Sequence, residues 1–241
     1  MNFDESQSLA ASLPEELPPL VVDIDGTLTD RSRAVDPRTF PVLRSWPSPL
    51  VIATGKAMPY PVSLCEFLGI EPVVVAENGG VVVVGPTDTV SFQGDREGAA
   101  AVLSAYREAG YDPGWGLANL SNRWRETELI VRRDSPLDPL EEIAAEHGLT
   151  VVDTGFAYHV KSPDFDKGGG VGVVARELGL DAGEFVAIGD STNDTAAFDV
   201  AHLGIAVGNA DDAAIEAADH VTGGRYADGF LEGVELLVSG R

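Results

Sequence analysis

Three stretches of this chain share one construction: an apolar run that stops on glycine and oxygen-bearing side chains. They read Leu20-Val-Val-Asp23-Ile-Asp25-Gly26-Thr27, Leu50-Val-Ile-Ala-Thr54-Gly55 and Val186-Ala-Ile-Gly189-Asp190. Apolar runs without alternation suit strands buried on both faces, as in parallel sheets covered by helices. Further strand-like runs fall at 72–76, 81–84, 127–133, 149–153, 158–161 and 203–207. Helical patterns lie between them at 37–46, 61–68, 96–109, 137–147, 170–178, 195–201 and 210–217. Strands alternating with helices predict an α/β fold with a doubly wound parallel-sheet, Rossmann-like core.

The middle of the chain reads differently. From about 80 to 160 the order becomes strand, strand, helix, loop, strand, helix, strand, with alternation in Glu128-Leu-Ile-Val-Arg-Arg. This predicts a small α+β unit at 80–160, inserted into a core made of 20–79 and 161–241. Residues 1–19, with prolines at 14, 18 and 19, read as a flexible lead-in.

Composition removes several classes. The apolar runs are only five or six residues long, against roughly 20 for a membrane span, and no signal-peptide pattern is visible at the start. The single cysteine, Cys65, sits in an apolar helical pattern and suits a reducing cytoplasm better than a disulfide scaffold. Thirty-nine acidic residues against sixteen basic ones give a net charge of −23, with only three lysines. Such a field repels nucleic acid and anionic membranes. Asp-rich, Lys-poor composition is also that of salt-adapted proteins, which points to a halophilic host. A monomer and a homodimer are both compatible with the sequence.

The chemistry gathers at the ends of the runs, where open α/β sheets bind ligands. Asp23 and Asp25 close the first run, and two acids there can supply a nucleophile and a general acid/base; an Asp-Gly turn is the structural alternative. Thr54-Gly55 is weaker alone, offering a hydroxyl and close backbone approach to an anion. Lys167-Gly168 opens a predicted helix in a glycine-rich loop, a location suited to phosphate. Asp190 and Asp194, four apart in Gly189-Asp-Ser-Thr-Asn193-Asp194, are hard-oxygen ligands suited to Mg²⁺. Asp194 can equally serve as a helix N-cap, or do both.

Taken in order, DxDGT, strand-Thr-Gly, Lys-Gly and GDxxND resemble the haloacid dehalogenase superfamily of phosphotransferases. Ala76-Glu-Asn-Gly-Gly80 and the 187–228 region resemble its branch with a type-II cap. The resemblance implies Asp23 as nucleophile and Asp25 as acid/base. It implies a phosphoryl site of Thr54, Gly55, Lys167 and Asn193. It also implies Mg²⁺ held by Asp23, Asp190 and the backbone carbonyl of Asp25, with Asp194 as ligand or support.

The insert is short for such a cap, and in this it is similar to archaeal phosphoglycolate phosphatases. The expected partner is therefore a small phosphorylated metabolite, with phosphoglycolate first. A sugar-phosphate phosphatase, a phosphomutase and a non-catalytic binding protein are the alternatives. Arg123 and Arg125, in Asn119-Leu-Ser-Asn-Arg-Trp-Arg-Glu126, are the expected carboxylate-recognition pair, unless they pair with surface acids such as Glu126 and Glu128. His159 and Lys161 lie where the chain returns to the core and either border the site or pack. Lys56 departs from the Arg or Asn of many relatives, and Pro59 and Pro61 are expected to shorten or displace the next helix.

Overall fold

The structure is a computed structural model describing residues 1–239; the last two positions of the expected core segment, 240 and 241, lie outside the described residues. The chain runs α1 (Phe3–Ala11), β1 (Leu20–Asp23), α2 (Phe40–Ser45), β2 (Leu50–Ala53), α3 (Pro59–Leu68), β3 (Val73–Ala76), β4 (Val81–Val84) and β5 (Thr89–Phe92). It continues through α4 (Arg96–Glu108), β6 (Glu128–Arg132), α5 (Asp138–Glu146), β7 (Thr150–Asp153) and β8 (Ala157–Lys161). It then follows α6 (Lys167–Leu178), β9 (Val186–Gly189), α7 (Thr195–Val200), β10 (Leu203–Ala206), α8 (Asp212–Ala217), β11 (His220–Val221) and α9 (Ala227–Ser239).

Eight strands form one sheet in the order β11-β10-β9-β1-β2-β3-β4-β5. The six strands from β11 to β3 pair in parallel, and β4 and β5 are added antiparallel. Leu20 and Val22 join Leu50 and Ile52 in a core on one face, while Val21, Val51 and Ala53 enter a second core on the other. Both faces are therefore dry, which is why the runs show no alternation. The register Leu20↔Leu50 to Asp23↔Ala53, with Leu20↔Val186 on the other side, brings the polar ends of all three runs to one edge.

A second, three-stranded antiparallel sheet has the order β6-β8-β7. Leu129, Val131 and Val160 face α4 and α5 in their own small core with Val102, Tyr106 and Leu140. The alternate positions Glu128, Ile130 and His159 point the other way, as the two-residue period requires.

The sheets correct three expectations. Residues 81–92 belong to the core and not to the insert: Val81–Val84 pairs with β3 from Val73↔Val84 to Ala76↔Val81, and its valines fill both core layers. The insert is confined to about 96–161, and its two crossing segments touch where Asp95 N donates to Ser162 Oγ at 3.1 Å. Residues 1–19 are not merely a lead-in. Asn2 and Glu5 form a capping box that starts α1, and Leu9, Ala10, Leu13 and Leu17 pack on the main core. Nor do the prolines shorten α3, which starts at Pro59. Both prolines fall in the first turn, where a missing N–H costs no helical bond.

Among the described residues no helix is long and apolar enough to cross a membrane.

Candidate active site

Asp23 is the last residue of β1 and is buried. The chain turns away at Gly26 with φ +91°, and a Cβ there would meet Asp190 Oδ2 at 1.9 Å. Only glycine allows this approach between the first and the last of the three strand ends.

Lys167 opens α6 and is completely buried. Its Nζ donates to Asp23 Oδ1 at 2.7 Å, Asp194 Oδ1 at 2.6 Å and Asn193 Oδ1 at 3.1 Å. All three ammonium protons are thus used. Burial alone would lower the pKa of Lys167, but Asp194 and Asp23 outweigh it and hold the ammonium above its ordinary value.

Asp194 does not cap α7 with its side chain. Its Oδ2 instead accepts from the backbone N–H groups of Asp190 and Ser191 at 3.0 and 3.1 Å, shaping the loop that carries Asp190. Thr54 follows β2, is buried, and its Oγ1 accepts from Lys56 N at 3.1 Å.

Ligand oxygens of Asp23, Asp190 and Asp194 lie within 4.8 Å of one another. Burial pushes Asp23 up to about 7, with Lys167 opposing the rise and Asp194 adding to it. Burial, then the charges of Asp23 and Asp194, push Asp190 up to about 8. Asp190 Oδ1 is buried with no hydrogen-bond partner. Three carboxylates against one ammonium, with one oxygen unpaired, fit a divalent cation with hard-oxygen preference such as Mg²⁺. The Asp25 carboxylate stands outside this group, so its expected part in metal binding is left to its backbone carbonyl.

Asp25 instead faces a cavity of about 280 Å³ between the strand ends and the insert's sheet, whose wall includes Asp23, Thr54, Gly55, Ile130, His159 and Asn193. Arg125 lines it too, but its guanidinium is engaged: it pairs with Glu128 and donates to Ser121 O at 2.9 Å and Gly55 O at 3.0 Å. Burial lowers its pKa to about 10, against the pull of Glu77 and Tyr60. Arg123, expected beside it, is exposed and lies off the cavity wall. The turn at Asn119 and the bonds from Asn122 to both backbone groups of Ile130 set this loop, turning one arginine inward and the other to solvent.

His159 is buried, 3.0 Å from Glu128 Oε2 and 3.3 Å from Asn78 Nδ2. Burial, with help from Arg125 and Lys161, lowers its pKa to about 3, so it is neutral near pH 7. Lys161 turns aside to the carbonyls of Ser162 and Phe165.

Sequence reasoning missed two sets of residues. Glu77 and Asn78 lie in the Ala76–Gly80 segment that signalled the cap, and both have positive φ. Asn78 joins Asn193 to Glu128, accepting at 3.0 Å and donating at 3.1 Å. Arg33 and Lys56 were not assigned to the site, yet both lie on Asp25. Nothing in the hydrophilic run 30–33 distinguishes Arg33 from a solvated loop residue.

The family described as haloacid dehalogenase-like hydrolase matches residues 20–95 and 132–234. A protein of Haloarcula marismortui named phosphoglycolate phosphatase is 60% identical over 92% of this chain and 98% of its own length. One of Natronomonas pharaonis with the same name is 56% identical over 90% and 96%. Among solved structures, Thermoplasma acidophilum 0175 superposes with a TM-score of 0.77 at 26% identity, covering 92% of this chain and all of that one. A haloacid dehalogenase-like hydrolase from Bacteroides thetaiotaomicron shares the fold, with a TM-score of 0.74 at 21% identity, covering 91% of this chain and 99% of that one. The chain carrying this carboxylate and lysine cluster belongs to the haloacid dehalogenase-like hydrolases.

Proposed function

We propose that this hydrolase, a phosphatase like its relatives, cleaves 2-phosphoglycolate to glycolate and phosphate through an aspartyl-phosphate on Asp23. One juxtaposition supports this above all. A buried carboxylate held by Lys167 stands beside a second carboxylate, Asp25, at the floor of a cavity of about 280 Å³. The space has room for a two-carbon leaving group beside the phosphoryl group, and relatives at 60% and 56% identity carry the phosphoglycolate phosphatase name.

Phosphoryl transfer asks mainly for positioning and neutralisation of charge. An Asp23 carboxylate oxygen attacks phosphorus, and the phosphorus–oxygen bond to glycolate breaks. Asp25 gives its proton to the departing oxygen. Thr54 and Asn193, in the cavity wall, hold the phosphoryl oxygens, and Lys167 fixes the direction of attack by holding Asp23. In the second half Asp25 takes a proton from water as the water oxygen attacks phosphorus. Phosphate leaves and the Asp23 carboxylate is restored. A Mg²⁺ ion held by Asp23 and Asp190, with Asp194 behind them, would supply further positive charge against the phosphoryl oxygens.

The acidic surface and single buried cysteine support a cytoplasmic enzyme of small metabolites, as monomer or homodimer. Phosphate release from a panel of phosphorylated metabolites, with Mg²⁺ and with chelator, in dilute and molar KCl, tests the proposal. Selective, Mg²⁺-dependent release from phosphoglycolate is expected. Equal or faster release from hexose phosphates would overturn the substrate.

A further inference from the structure

Cationic groups stand both behind the cavity wall and in it. Lys167 lies behind Asp23 and is fully occupied by three oxygens. In the wall stand Arg33 and Lys56, whose only charged partner among the described residues is Asp25. Arg33 Nε and Nη2 reach Asp25 Oδ1 at 3.3 and 3.2 Å, and Lys56 Nζ reaches Oδ2 at 2.8 Å. The remaining cationic candidates in the wall are spent: Arg125 is committed to Glu128 and two carbonyls, and His159 is neutral.

Arg33 is placed with care. It sits at the tip of a short hairpin closed by the Thr29↔Val35 bridge, in the left-handed region at φ +68°. Asp30 builds that tip by accepting from Ser32 N and Ala34 N. The guanidinium then lies 4.6 Å from the centre of the Phe156 ring, which projects from the β7–β8 turn of the insert and is backed by Trp115. Stacking on an aromatic face holds the planar fork towards the cavity while leaving its N–H edge, which here meets Asp25, clear of the ring.

We propose that Arg33, stacked on Phe156 and assisted by Lys56, is the specificity determinant that binds the carboxylate of the substrate's leaving group. The inference rests on the phosphoglycolate reading above. When the ester oxygen meets Asp25, the substrate carboxylate lies one carbon farther out. Cations already in contact with Asp25 are therefore within its reach. A guanidinium fork and an ammonium suit a small carboxylate, and a neutral leaving group would leave them unmatched. This replaces Arg123, which faces solvent, and Arg125, which is buried and bound to two backbone carbonyls besides Glu128.

The test compares kcat/KM for 2-phosphoglycolate with that for 2-hydroxyethyl phosphate, which has similar size and no carboxylate. Wild type, Arg33→Gln, Arg33→Lys and Phe156→Leu are assayed with Mg²⁺, with folding checked by circular dichroism. The preference of wild type for phosphoglycolate is expected to fall at least tenfold in Arg33→Gln. It should be partly kept in Arg33→Lys and should fall in Phe156→Leu, chiefly through KM for phosphoglycolate. Any general disturbance of Asp25 slows both substrates and cancels in the ratio. If wild type prefers phosphoglycolate and Arg33→Gln keeps that preference, the role of Arg33 is overturned and the substrate stands. If wild type shows no preference, the substrate itself is overturned, and the role of Arg33 with it.

Discussion

Lys167 Nζ lies 2.7 Å from Asp23 Oδ1, with the lysine completely buried and the aspartate nearly so. An ammonium at the start of α6 thus orients a carboxylate at the end of β1, 144 residues away in the chain. Both depend on close packing: a Cβ on Gly168 would meet the Ala196 carbonyl at 2.2 Å, so α6 seats against α7 only with glycine beside the lysine.

Replacing the nucleophile tests that arrangement directly. Asp23→Asn keeps the side chain's shape but removes the anionic oxygen, and turnover should drop by roughly three orders of magnitude or more. The circular dichroism spectrum should stay as in wild type. Phosphate release at the wild-type rate would exclude Asp23 as the attacking group.

The buried carboxylates make stability depend on pH in an unusual direction. Asp23 and Asp190 ordinarily titrate near 3.8, and the fold raises them to about 7 and about 8. Between those limits the folded state holds more protons than the unfolded one, so stability falls as pH rises. The contribution is complete below about pH 4 and is lost by about pH 8. In chelator, Tm should therefore decline from pH 5 to 8.5. Added Mg²⁺ should flatten the decline, because binding favours the ionised cluster. A chelated protein whose Tm climbs across that range would contradict the assignment.

Much of this site was legible because its parts end apolar runs. Asp23 ends, and Thr54 and Asp190 directly follow, a strand buried on both faces, and a buried parallel strand has few other readings. Pairing partners were not legible. The valines at 81–84 look the same whether they extend the core sheet or begin an insert, and only contact with β3 decides. Residues 1–19 read as a lead-in on their prolines alone, and the Asn2–Glu5 capping box that starts α1 was not recognised in the sequence. Arg123 and Arg125 differ by two positions in an irregular loop without period. Which of them turns inward depends on Asn122 and Ile130, a relation that no local pattern carries.

Net charge predicts a salt response. At −23 the folded surface repels itself, and screening relieves that repulsion. Tm should rise by several degrees as KCl is raised from about 0.1 to 2 M, most steeply at the low end where the screening length shortens from roughly 10 Å to a few ångströms. A Tm that is flat or falling over this range would mean that the acidic surface carries no stability cost in dilute buffer.

Glu77 fastens the insert to the core. It is fully buried at the end of β3, and its carboxylate accepts from Thr127 N at 2.7 Å, Thr127 Oγ1 at 2.8 Å and Glu126 N at 3.0 Å, just before β6 begins. Burial raises its pKa, and the Thr127 and Glu126 donors and the Arg125 charge oppose the rise. Glu77→Ala would leave these donors without an acceptor, at roughly 1–3 kcal/mol for each that water cannot reach. The loss should concentrate at the junction and spare the parallel sheet. Amide exchange at Glu126 and Thr127 should accelerate far more than at Val21 on β1 or Ala187 on β9, and kcat/KM should fall as the wall carrying Ile130 and His159 loosens. Unchanged exchange at those two junction amides would show that the insert is held by other contacts, such as Asn78 to Glu128 and Arg125 to Gly55.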